Sequence, residues 1–218
     1  MLRSFHPACL LVLTALLGYS QTNPLAAVTF TLDFPASQPE HYSIRVRSDA
    51  SAHYESSGRV SADSDETDSF DLDFIVTAET RQRVFDLAAK GGYFQKDVDS
   101  HHKGIAFTGK KTLTYRDSQR SGESTYNYSS NQSVQDLTGL MQSLSETLEF
   151  GHRLQYDRRY QKLALDEELK RMEEMARSNQ LAEIGAIRPI LEQIVGDQSV
   201  MNVSRGRAQQ LLERVSSR

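Results

Sequence analysis

Val28-Thr29-Phe30-Thr31-Leu32-Asp33-Phe34 puts an apolar side chain at every second position and a polar one between. An extended chain points successive side chains to opposite faces, so this segment reads as a strand with one buried face. Pro35 and Pro39 close it, because proline cannot donate to a sheet ladder. The same alternation returns with Tyr42, Ile44 and Val46 inward and Ser43, Arg45 and Arg47 outward. Ser48-Asp49-Ala50 supplies turn chemistry, and Ala52 and Tyr54 continue a return strand to Gly58, which predicts a hairpin. A further strand carries Phe70, Leu72, Phe74 and Val76 against Asp71, Asp73 and Ile75.

Downstream of these strands the period changes. Thr77 is placed to cap a helix over residues 78–90, with Val84, Phe85, Leu87 and Ala88 as its apolar stripe and Gly91-Gly92 as its stop. Two short strands follow at about 112–116 and 124–128, joined by a turn from Asp117 to Gly122. Val134, Leu137, Leu140, Met141, Leu144 and Leu148 then form one stripe of a second helix. Four strands, a helix, two strands and a helix predict an α+β fold over residues 28–149: a two-layer antiparallel sheet with both helices on one face. Residues 21–27 read as a linker.

The remainder reads as an α-helical region, residues 150–218. A long helix is expected at about 150–178, its apolar side interrupted by Asp157, Arg158 and Gln161. Shorter helices are expected at about 181–195 and 200–215, with Pro189 either kinking the first or starting a new one. No aromatic residue follows Tyr160, which supports a change of character near residue 150.

The first twenty residues read as an address. Arg3, the apolar run Ala8 to Leu17 and the small residues Gly18 and Ser20 fit a secretory signal peptide cut after Ser20, with Ala26 or Ala27 as later cuts. The competing reading is an N-terminal anchor or buried helix, but the run is short of the roughly 20 residues that span a bilayer. The chain of 218 residues has one cysteine, Cys9, inside this leader. A disulfide framework and every multi-cysteine metal site are therefore excluded. A disulfide-free exported chain points to a bacterial periplasmic or secreted protein, and makes the sequons at Asn127, Asn131 and Asn202 incidental. Net charge is −4, against a general nucleic-acid binder, which needs a basic face. No transmembrane segment is read in the mature chain.

Several groups could carry chemistry. Asp63, Asp65, Glu66, Asp68, Asp71 and Asp73, in the acidic stretch 61–73, offer oxygen ligands for a cation, but their spacing fails the EF-hand pattern and a solvated loop explains them. His101-His102, with Asp97 and Asp99 nearby, could share a metal only on an irregular loop; an exposed loop is the simpler reading. His41, His53 and His152 read as isolated. Tyr93, Phe94, Tyr115, Tyr126 and Tyr128, with Lys110, Lys111, Arg116 and Arg120, would make an aromatic and cationic binding patch if they face water, or ordinary packing under the helices if they do not. Met172 and Met175 leave room for an intermolecular helix contact. No nucleophile elbow or phosphate-binding glycine motif occurs, and the residues assign no catalytic, cofactor-binding or metal position.

Tyr54-Glu-Ser-Ser-Gly58, Asp63 to Phe70, Val84 to Phe94, Thr125 to Ser129 and Leu163 to Met175 together resemble a group of uncharacterised secreted proteins of acidobacterial type. Residues 40–148 are more loosely similar in layout to a bacterial envelope domain of unknown function. The resemblance implies export and this fold, and no activity. The expected function is a non-enzymatic exported module that binds a protein or envelope component. A hydrolase or metal-dependent enzyme with dispersed residues and an enzyme-inhibitor-like protein are the alternatives.

Overall fold

The computed structural model describes residues 25–59 and 66–216. The leader 1–20, most of the 21–27 linker, and Asp63 and Asp65 lie outside the described residues. The chain is α+β, with six strands: β1 Ala27–Asp33, β2 His41–Arg47, β3 Ser51–Arg59, β4 Thr67–Ile75, β5 Lys110–Arg116 and β6 Ser121–Tyr126. All five pairings are antiparallel, in the order β4-β3-β2-β1-β5-β6.

Register converts the alternation into rows. Phe30 lies opposite Ile44 and Leu113, Ile44 opposite Tyr54, and Tyr54 opposite Leu72. One row along, Val28 lies opposite Val46 and Tyr115. These side chains lie under two helices, α1 Ala78–Lys90 and α2 Gln132–Tyr160, which pack on each other and on the central strands. The opposite face carries Thr29, Thr31, Arg45, Glu55, Asp71, Asp73 and Glu123, and no helix among the described residues covers it. A 3₁₀ turn, Gly92–Phe94, follows α1 and packs on β5 and β6. Gly122 of β6 permits that approach, since a Cβ there would lie 2.1 Å from the Tyr93 carbonyl oxygen.

The helix starts are chemical. Thr77 accepts a hydrogen bond from the Thr80 amide, as its position predicts. Asn131 accepts from the Ser133 and Val134 amides to begin α2. That helix has 29 residues and runs straight through residue 150. The composition changes there, but the element does not.

The expected helix 150–178 is corrected: residues 150–160 belong to α2, and α3 begins at Leu165 and ends at Arg177. Gln161 leaves the helical region (φ −138°, ψ 54°), and Lys162 reaches Asp197 and Ser199. Neither glycine nor proline causes this break; a tertiary tie accompanies it. The expected 181–195 helix is also divided, into a 3₁₀ turn at Ile184–Ile187 and α4 at Arg188–Gly196. Pro189 lies in the first turn of α4, where its missing N–H costs nothing, so it starts a helix and does not kink one. The last helix, α5, is Asn202–Ser216.

One continuous apolar core runs from the sheet through α2 into α3, α4 and α5. Gly151 lets the C-terminal unit dock, because a Cβ there would meet Ile187 Cγ2 at 2.5 Å. Glu183 adds a polar tie, accepting from the Thr77 amide (3.0 Å) and hydroxyl (2.6 Å) at the start of α1. Among the described residues no helix is long and apolar enough to cross a membrane.

Candidate functional site

The aromatic group divides. Phe94, Tyr115 and Tyr126 are buried under the helices, so packing describes them. The Tyr126 hydroxyl pairs with Thr138 of α2, and burial pushes its pKa up to about 12. Strand β6 ends at Tyr126, two residues earlier than expected, so Tyr128 escapes the sheet alternation and is exposed. Arg120 lies over the Tyr93 ring at 4.4 Å. Lys111 does not belong to a surface cationic spot. It is buried on the covered face.

Lys111 instead holds a loop in place. Its Nζ donates to the Thr108 carbonyl (3.1 Å), the Thr108 hydroxyl (2.9 Å) and the Asn127 carbonyl (3.0 Å). Burial lowers its pKa. Asn127 completes the clamp: its side-chain oxygen accepts from the Thr108 amide, its NH₂ donates to the Ala106 carbonyl, and its own amide donates to Asp99. Eight successive residues, 101–108, are exposed on this braced base. Ile105 is 40% and Phe107 60% exposed, with Phe107 touching Phe34 edge-on.

The histidine pair lies on that loop, as its exposed-loop reading expected. His101 Nε2 lies 2.7 Å from Asp97 and Nδ1 lies 3.9 Å from Asp99; the Asp97 contact raises the imidazole pKa. The His102 backbone amide donates to the Ser100 hydroxyl (3.4 Å). Among the described residues no group of three or more His, Cys, Asp or Glu is placed to hold a metal ion. The acidic stretch splits by face: Asp71 and Asp73 lie on the open face, where Asp73 meets His53 at 2.8 Å, while Asp68 turns to a cleft.

That cleft, about 170 Å³, lies where the starts of β4 and the end of β3 meet the middle of α2. Glu149 is its deepest charge, with only 8% of its surface exposed. Its Oε1 accepts from the Tyr54 hydroxyl and the Ser56 hydroxyl, each at 2.7 Å, and Tyr54 also contacts Ser145 at 3.0 Å. Burial alone would raise the Glu149 pKa, but His152 and the two hydroxyls outweigh it and hold the carboxyl low. His152 stacks on Phe70 with centroids 4.4 Å apart and planes 4° from parallel. It lies between two carboxylates, 3.9 Å from Glu149 Oε2 and 3.6 Å from Asp68. Glu149 and Asp68 raise its pKa against burial and Arg153.

A buried carboxylate, an imidazole and a serine share this cleft, but their connections matter. Ser56 donates to Glu149 and not to His152, so the nucleophile-to-imidazole bond of a hydrolytic triad is missing. The arrangement can accept hydrogen bonds and positive charge. A wider depression of about 600 Å³ between α4 and α5 is lined by Glu192, Gln209 and Glu213 and holds no buried charged group.

Sequence reasoning treated His152 as isolated and passed over Glu149. A signal was present: Ser145, Glu149 and His152 repeat at i, i+4 and i+7, a polar line beside the apolar stripe of the same helix. Neither a protein-family model nor a curated protein matches the chain.

Proposed function

We propose that this chain is an exported binding module, sent by residues 1–20 to the bacterial periplasm or exterior, that recognises a protein or envelope component through the loop 101–108. The observation behind this reading is the pairing of a braced base with an exposed tip. Lys111 and Asn127 fix the loop before any partner arrives, so less ordering entropy is lost on binding. Ile105 and Phe107 supply apolar anchors beside the cations Lys103 and Lys110. The inhibitor-like version of this reading draws on the same geometry, because a braced, exposed loop can enter another protein's cleft.

The test is a photo-crosslinking residue at Phe107, with Leu163, which is 81% exposed, as the control. In native envelope extract the expected result is a discrete adduct from position 107 and none from 163, weakened by Lys111→Met. Equal labelling from both positions overturns the loop as the recognition element. Recovery of tagged, uncleaved protein from the cytosol overturns export.

A further inference from the structure

We infer that the envelope component met by the loop 101–108 is a bilayer surface rich in anionic headgroups. Ile105 and Phe107 enter the boundary between headgroups and acyl chains, and Lys103 and Lys110 meet the phosphates. This assignment rests on the loop being the recognition element. The tip is built from two loops at one end of the sheet, after β1 and before β5. Phe107 meets Phe34 edge-on with ring centroids 5.9 Å apart. Gly109 lets the loops close, since a Cβ there would lie 2.8 Å from Phe34 Cβ. Neither Phe34-Pro35-Ala36-Ser37-Gln38-Pro39 nor Gly104-Ile105-Ala106-Phe107-Thr108-Gly109 contains a charged residue. Pro35, Ala36, Ile105, Ala106 and Phe107 are all exposed, so the two loops present one uncharged, largely apolar ridge.

Hydrogen bonding favours lipid over a protein as the occupant. A protein partner can offer donors and acceptors to a loop, whereas hydrocarbon offers none, so backbone that approaches it must be satisfied from within. The brace supplies this. Each peptide group flanking Phe107 has a polar atom held by Asn127, which donates to the Ala106 carbonyl (3.1 Å) and accepts from the Thr108 amide (2.9 Å). Lys111 Nζ donates to the Thr108 and Gly109 carbonyls. Charge complementarity is the second argument. No Asp or Glu occurs from Ser100 to Arg116, although the chain carries a net −4. Lys103 and Lys110 are exposed and make no ion pair among the described residues. Asp33, opposite Lys110 in the ladder, lies 2.6 Å from His41. An apolar tip with cations behind it is the arrangement that binds an anionic interface, where burial and headgroup attraction add.

The chain contains no tryptophan, so Phe107→Trp puts a single indole at the tip. The experiment titrates this full-length variant with vesicles of phosphatidylglycerol and phosphatidylcholine in a one-to-two ratio. It reads the emission wavelength and quenching by lipids brominated along the acyl chain, with Leu163→Trp as the control. The expected result is a saturable blue shift with quenching from position 107 and neither from position 163. Binding should be about tenfold weaker on phosphatidylcholine alone, and Lys103→Gln should weaken it about fivefold. Adding Ile105→Ser to Phe107→Trp should remove the quenching; Ile105 is exposed, so the fold tolerates the change. No quenching at position 107, equal quenching at both positions, or binding that survives Ile105→Ser, as insertion of the apolar run 8–17 would, overturns the lipid assignment. A discrete protein adduct from position 107 in envelope extract, without vesicle binding, overturns lipid as the partner and leaves the loop as the recognition element. Absence of both overturns the loop as well.

Discussion

Beneath the sheet, polar atoms enter the core at the far ends of tyrosine rings; among the C-terminal helices the buried carboxylate of Glu173 is met by arginine stems that cross the seam from the edge. Tyr54 reaches from β3 to Glu149 and Ser145, and Tyr126 reaches from β6 to Thr138. Arg207 of α5 instead reaches Asp166 (2.9 Å) and Glu173 (2.7 Å) of α3 from the edge, and Arg153 closes on Glu168. The difference follows from the layers. A sheet and a helix leave a gap wide enough for aromatic rings, and a buried hydroxyl at the end of a ring must find an acceptor. Aliphatic helices pack closer, so their polar ties form where long cationic side chains cross the seam.

The comparison can be broken most forcefully at Glu149. Glu149→Ala leaves the Tyr54 and Ser56 hydroxyls without their shared acceptor and opens a gap, a loss of about 3 kcal/mol in denaturant unfolding. A loss under 1 kcal/mol would mean that the hydroxyl network does not support the sheet half. Arg207→Met is expected to cost about 2 kcal/mol, because Glu173 is buried and keeps only Arg177. If it costs nothing, the margins of the helical half are as indifferent as ordinary surface ion pairs.

The seam between the halves gives a smaller effect. Gly151→Ala gains helix propensity but pushes a methyl into Ile187, a net loss of about 1 kcal/mol. Combining it with Ile187→Ala should give less than the sum of the two single losses, whereas strict additivity would place the strain elsewhere.

The smallest signal is the pH slope set by the Glu149–His152 contact. His152 has a raised pKa in the folded chain, so its contribution is full below the ordinary imidazole value and is lost as pH rises through the raised one. Glu149 has a lowered pKa, so its contribution is present above the ordinary carboxyl value and is lost as pH falls through the lowered one. Melting temperature should therefore decline as pH rises above the ordinary imidazole value, and His152→Asn should flatten that limb. An unchanged limb would separate His152 from stability.

The sheet was legible because each strand had a single buried face. Once Val28, Phe30 and Leu32 are put inward, the inward sets of β2 and β3 follow from alternation alone. The Thr77 cap was equally local and was found at its residue. The cleft was not legible, since Tyr54 and Ser56 lie 95 and 93 residues from the carboxylate they serve. A single Glu beside Leu148 and Phe150 reads as a helix's wet side until a distant strand arrives to cover it. The break after Tyr160 was hidden similarly: the polar interruption at Asp157, Arg158 and Gln161 marked the place, but the tie from Lys162 to Asp197 lies 35 residues on.

Residue 150 marks a change of chemistry inside a single rod. At 1.5 Å per residue α2 is about 43 Å long, and both halves are fastened along it. A protease therefore meets no hinge between an aromatic domain and an aliphatic one. Among the described residues, the exposed run 101–108 offers it bonds within the sheet half, and a nick there leaves the two halves still joined. Release of the C-terminal helices would have to proceed by peeling from the rod, in step with the loss of the core that α2 shares with the sheet.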